Sequence, residues 1–135
     1  MISNEQLKEY IHKLSAYMKD TEAQNVQIGM YLKELSNIFH AHLSIKQIGI
    51  YGLLEAGTIQ FQLTLQQLPM DIKQDMKLKL RELLLKFAGS LDVIAENVEE
   101  LDTGNMELYK AISNLFLCIE KLFYLIHTTQ STAMP

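Results

Sequence analysis

Residues 43–68 read LSIKQIGIYGLLEAGTIQFQLTLQQL, and the fold class turns on them. Two patterns overlap here. Ser44 and Gln47 have the spacing of a capping box, in which each side chain satisfies a backbone amide at a helix start. Leu53-Leu54-Glu55-Ala56 followed by Gly57 reads as a helix end, because glycine takes the left-handed conformation a C-cap wants. Against that, Thr58-Ile59-Gln60-Phe61-Gln62-Leu63-Thr64-Leu65 alternates as a strand does. Gly49 and Gly52 also weaken a helix, by ~1 kcal/mol each relative to alanine. A lone strand has no pairing partner in an otherwise helical chain, so the reading favours helix. A β-hairpin turning at Glu55-Ala56-Gly57 is the alternative.

The flanking sequence is helical on both sides. Ser3 and Gln6 form a second capping-box spacing. Leu7, Tyr10, Ile11, Leu14, Tyr17 and Met18 then share one face at helical period. Asp20-Thr21 ends that helix, and Thr21 with Gln24 predicts the next start. Its stripe is Ile28, Tyr31, Leu32, Leu35, Ile38 and Phe39. Downstream, Pro69 is expected in a first turn. Met76, Leu80, Leu83, Leu84, Phe87, Leu91, Ile94, Val98 and Leu101 stay in phase after it. A helix that long is expected to kink at Gly89-Ser90. Asp102-Thr103-Gly104-Asn105 breaks the chain before a last helix from about Asn105 to His127. The expectation is an all-α or α-dominant fold. It is a single compact bundle of about five helices over residues 1–128, with a flexible C-terminal tail at 129–135.

Composition excludes several function classes. The 135 residues are 48% hydrophobic and carry a formal net charge of −4, which suits one globular domain. The nearest approach to a basic face is Lys73, Lys77, Lys79, Arg81 and Lys86. Asp71, Asp75 and Glu82 interrupt it, and Arg81 is the single arginine, so nucleic acid is an unlikely partner. A helix–turn–helix over Leu43 to Thr58 lacks a basic recognition helix. The segment Met1 to Tyr10 has neither the basic nor the apolar region of a signal peptide. The most apolar stretch, Ala111 to Ile126, is interrupted by Glu120-Lys121. It falls short of the ~20 residues of a bilayer span, so it reads as a core helix and no membrane contact is expected. Cys118 is the one cysteine, set among Leu115, Phe116, Leu117 and Ile119. It should be a buried, inert thiol in a reducing, cytoplasmic setting.

Candidate chemistry is sparse. His12 follows Glu9 at the Glu-x-x-His spacing of di-metal bundles, but the motif occurs once, and a surface ion pair is expected instead. His42, in phase with Leu35, is expected at a core edge and His40 in solvent. His127 is expected to complement the dipole at a helix end. Glu96, Glu99, Glu100 and Asp102 read as a solvated acidic face on which no histidine converges in sequence. No phosphate loop, nucleophile elbow or zinc cysteine pair is present. No metal, cofactor or catalytic residue is therefore assigned.

The last helix is apolar beyond one stripe. Ile112, Leu115, Phe116, Ile119, Leu122, Phe123 and Ile126 form a complete core face. Leu117 and Tyr124 stand on the opposite side, among Lys110, Ser113, Asn114, Glu120 and Lys121. Tyr109, Cys118 and Leu125 widen the apolar surface. Such a helix is either enclosed by its bundle or part of an interface. The expected function is a non-enzymatic protein-binding module: an adaptor, regulator, inhibitor or chaperone-like protein. Its expected interface residues are Leu117, Tyr124, Leu125 and Tyr109, and homodimerisation is the commonest form of such association. The first alternative is a small-ligand-binding or metal-dependent helical enzyme with a pocket between helices. The second is a nucleic-acid-binding regulator.

Overall fold

The computed structural model describes residues 3–42, 48–100 and 105–132. Among these residues there are five α-helices: α1 (Asn4–Lys19), α2 (Asn25–Ala41), α3 (Ile48–Leu65), α4 (Gln74–Glu96) and α5 (Met106–Thr132). A short 3₁₀ turn, Val98–Glu100, follows α4. No strand occurs among the described residues.

The capping box at α1 forms as its sequence dictates. The Ser3 amide donates to Gln6 Oε1 at 2.8 Å and the Gln6 amide to Ser3 Oγ at 3.2 Å. Leu7, Ile11, Leu14 and Met18 are buried. At the other end of α1 the Arg81 guanidinium donates to the carbonyls of Met18, Lys19 and Asp20. These are terminal carbonyls with no partner inside the helix, and a cation there also complements the helix dipole. The cap expected at Thr21 is absent. Asp20 instead takes the turn, accepting from the amides of Glu22 and Ala23. The helix begins later, at Asn25, with no side-chain cap on its N-cap residue Gln24.

Residues 48–65 are one helix, so neither the hairpin nor the helix end at Gly57 forms. Tyr51, Leu54, Thr58, Phe61 and Leu65 are buried, spaced three or four apart. That period divides the apparent strand: Phe61 and Leu65 go inward while Leu63 is 46% exposed. The two β-branched threonines turn their hydroxyls onto the preceding helical turn. Thr58 Oγ1 donates to the Leu54 carbonyl at 3.0 Å and Thr64 Oγ1 to the Gln60 carbonyl at 2.7 Å. Their polarity is thus satisfied without leaving the helix. Gly57 has a helical, not left-handed, backbone. Its bare Cα faces α5, where a Cβ would meet the Phe116 ring at 3.7 Å.

Pro69 lies in the connection after α3, which ends at Leu65, rather than opening α4, whose first residue is Gln74. Proline soon after a helix end is common because it cannot continue the helix. Helix α4 runs on through Gly89-Ser90 and ends at Glu96, with Asn97 as its C-cap. Leu101, the last residue of the expected stripe, lies outside the described residues. The Asn97 side chain donates to the Val93 carbonyl and accepts from Asn105 Nδ2 at 2.8 Å. Asn105 Oδ1 in turn accepts from the Leu108 amide, capping α5. Two asparagines thereby join the end of α4 to the start of α5. Helix α5 continues to Thr132, past the expected end at His127. The capping residues Ser44 and Gln47 and most of the 102–105 break lie outside the described residues.

The helices form a closed ring in the order α1, α4, α5, α3, α2, with α2 returning to α1. Phe61 of α3 and Phe87 of α4 meet across its middle with ring centroids 4.0 Å apart. Both are fully buried, as is Phe39, and the apolar stripes of all five helices join one core. In such a ring each helix packs on two neighbours, and its outer side faces solvent.

Candidate interaction surface

Helix α5 packs on α4 and α3. Leu108, Ile112, Leu115, Leu122 and Ile126 fill the inward side and are buried. The opposite side carries Leu117 at 45% exposure and Tyr124 at 72%. Both residues expected on the polar side are therefore in solvent. Tyr109 and Leu125 are half-buried on the two flanks. Phe123, expected in the core face, is 49% exposed and stacks on His127 with centroids 3.9 Å apart. Among the described residues α5 is covered by two neighbours, α3 and α4, and Phe123 falls on the edge of the inward arc. His127 lies inside the longer helix rather than at its end, with Nδ1 at 3.0 Å from the Phe123 carbonyl.

Exposed apolar positions continue beyond the expected four. Met106, at the start of α5 on the same side as Leu117 and Tyr124, is 69% exposed. Over Met106–Thr128 the helix is long and apolar enough, by length and composition, to cross a bilayer, contrary to expectation. Only 33% of its most apolar window is buried in the bundle. Core helices share that composition, and the other long helices also leave apolar groups exposed, Val26 and Met30 on α2, Leu53 and Leu63 on α3, and Leu78 and Leu85 on α4. On α5 these groups include an aromatic pair, Phe123 and Tyr124.

Two open grooves border this face. One, of about 650 Å³, runs between the start of α4 and the end of α5 and is lined by Asp75, Lys79, Leu83, Leu117, Tyr124 and Leu125. The other, of about 500 Å³, lies further along the same helix pair and reaches Cys118 from Lys86, Ser90, Lys110 and Leu117. Cys118 itself is 4% exposed, and burial pushes its thiol up from the ordinary value. A raised thiol carries little nucleophilic thiolate.

A charged cluster occupies the α1/α4 seam. His12 Nδ1 lies 3.0 Å from Asp92 Oδ1, and its Nε2 lies 2.9 Å from Glu96 Oε1. Lys19 reaches Asp92 and Lys8 reaches Glu96 at 3.5 Å. The carboxylate contacts of His12 thus form across helices and not with Glu9, and Glu96 of the acidic face does receive a histidine. Asp92 and Glu96 are four apart, so they stand on one helix face and grip the ring from both sides. Burial alone would raise the Asp92 carboxyl, but the contacts led by Lys19 outweigh it and hold it below its usual value. Glu96 is also lowered, first by His12 and then by Lys8. The carboxylates take opposite ring nitrogens and converge on no common point. Among the described residues no group of three or more His, Cys, Asp or Glu is placed to hold a metal ion.

A third feature escaped the sequence reading. Val26, Met30 and Met70, exposed by 78%, 60% and 104%, line a groove of about 540 Å³ between α2 and the segment after α3. Val26 and Met30 lie off the core stripe of α2, which was the available signal. Met70 belongs to a connection that helical periodicity does not address. The remaining histidines are structural: His40 meets Glu55 at 3.1 Å, and His42 packs on Tyr51 with centroids 5.6 Å apart. Arg81, the one arginine of the basic stretch, is committed to the end of α1.

Compared with protein-family models, curated proteins and solved structures, the chain matches none.

Proposed function

We propose that this protein is a non-enzymatic interaction module that acts through the outer face of α5. The observation that carries this reading is the exposure of Met106, Leu117 and Tyr124 on one side of a helix whose opposite side already completes the core. Large apolar groups grouped this way on a folded surface mark association sites more often than single scattered ones do. Tyrosine adds to the argument, since an aromatic ring with a polar tip is a favoured interface anchor. The adjoining α4/α5 groove supplies a concave edge next to Tyr124 and Leu125.

The test is proximity in the native cell. A photo-crosslinking amino acid is placed at position 124, and at the exposed Asn37 of α2 as a control. Discrete crosslinked products are expected from position 124 and not from position 37. Equal yields at the two positions, or none at 124, would remove the α5 face as the interaction surface.

A further inference from the structure

The exposed side of α5 has a regular order. Met106, Lys110, Ser113, Leu117, Glu120 and Tyr124 succeed one another at alternating steps of four and three, and all six are exposed. This is the seam spacing by which one helix lies along another. Its ends are apolar, Met106 and Tyr124. A small serine and a leucine sit at its centre. The two charged members have opposite sign, and neither Lys110 nor Glu120 makes an ion pair with another described residue.

We infer that the occupant of this face is a second copy of the chain, packed α5 against α5 in antiparallel orientation about a two-fold axis at the level of Leu115. This rests on the α5 face being the interaction surface, and names its partner. In that register Met106 lies opposite Tyr124 of the second copy, Lys110 opposite its Glu120, and Ser113 opposite its Leu117. Two-fold symmetry repeats each pairing, so the seam is self-complementary in both charge and size. A leucine beside a serine lets the helices approach where two leucines would hold them apart. Parallel pairing fails on the same residues, because it sets Lys110 against Lys110 and Glu120 against Glu120. A single-helix seam is smaller than the roughly 800 Å² per partner of stable complexes. The dimer is therefore reversible, with a Kd on the order of 1 µM to 1 mM.

Charge reversal tests orientation and register together. Wild type, Lys110→Glu and Glu120→Lys are compared by sedimentation equilibrium up to about 1 mM, the weak end of that range. Circular dichroism first verifies that each exposed substitution leaves the fold intact. The wild type is expected to dimerise. Each variant alone sets like charges together twice in the symmetric dimer, weakening association roughly tenfold or more. Mixing the two variants restores dimers to near the wild-type level, because each reversed charge then meets an opposite one. A wild type that stays monomeric overturns self-association; crosslinking at position 124 to a different protein would then still uphold the interaction reading. A wild-type dimer abolished by Leu117→Asp but indifferent to both charge reversals overturns the register and keeps the face. Failure of the mixture to recover, after loss in each variant alone, overturns the antiparallel orientation.

Discussion

Arg81 and His12 owe their roles to contacts that local sequence does not encode. Arg81 read as part of a basic stretch, yet it closes α1 by donating to three successive carbonyls. His12 read as a partner of Glu9, yet Asp92 and Glu96 hold it from 80 and 84 residues away in the chain. Cys118, by contrast, was legible, because the residues flanking it in the chain, Leu115 to Leu117 and Ile119, are apolar. In the fold Lys121 and Lys86 also act on the thiol, but burial outweighs them. With its thiol raised by burial, labelling of native protein by a thiol reagent should be slow and should accelerate on unfolding. Labelling as fast in the native state as in denaturant would contradict the placement. The α1/α4 cluster predicts a pH dependence. The folded-state values of Asp92 and Glu96 lie below their ordinary 3.8 and 4.5. In acid the unfolded chain then binds more protons than the folded one. Their stabilising contribution is therefore complete above those ordinary values and is lost as pH falls through the lowered ones. Asp92→Asn with Glu96→Gln should lower the urea midpoint at neutral pH, and the deficit should shrink as the pH falls below the ordinary values of 3.8 and 4.5. An equal deficit at neutral and at acid pH would count against this coupling.

At the scale of the element, helical period was the reliable signal and punctuation the weak one. The stripes of α1, α2 and α4 face the core as read, with Tyr10, Tyr17, Tyr31 and Ile38 half-buried at its edge. In α3 the alternation of residues 58–65 mimicked a strand because glutamines and threonines happen to fall between its apolar positions. The tertiary environment decided in favour of a helix, since Phe61 and Leu65 have core to enter and no strand lies beside them. Gly57 shows how punctuation misleads: its lack of a side chain serves close packing on Phe116, not a helix end. The clearance there is specific enough to predict a sign. An alanine Cβ would sit at ordinary contact distance, 3.7 Å from the ring. Gly57→Ala should therefore be neutral or stabilise by up to ~1 kcal/mol through the removal of a mid-helix glycine. Gly57→Leu has no room and should cost about 1–3 kcal/mol by overpacking. Chemical denaturation of both variants measures this. A loss of more than about 1 kcal/mol for the alanine variant would mean tighter α3/α5 packing than described.

For the whole molecule, the ring arrangement explains why an apolar helix has material to spare. A helix enclosed on all sides would bury Leu117, Phe123 and Tyr124, whereas one with two neighbours leaves them outside. Sequence identified the surplus but not its location, because enclosure depends on how many helices surround α5, and no local pattern reports that number. The central claim is that Leu117 and Tyr124 contribute to a surface and not to the core. The most direct measurement is thermal unfolding of Leu117→Asp with Tyr124→Ala, followed by circular dichroism at a concentration where the chain is monomeric. Exposed substitutions change stability by about 0.5 kcal/mol or less each. At about 3–5 °C per kcal/mol for a domain of this size, the melting temperature should move by only a few degrees. If the two side chains were core, truncation would cost roughly 2–5 kcal/mol each. A double variant that loses its helical signal, or melts more than about 15 °C lower, would contradict the account.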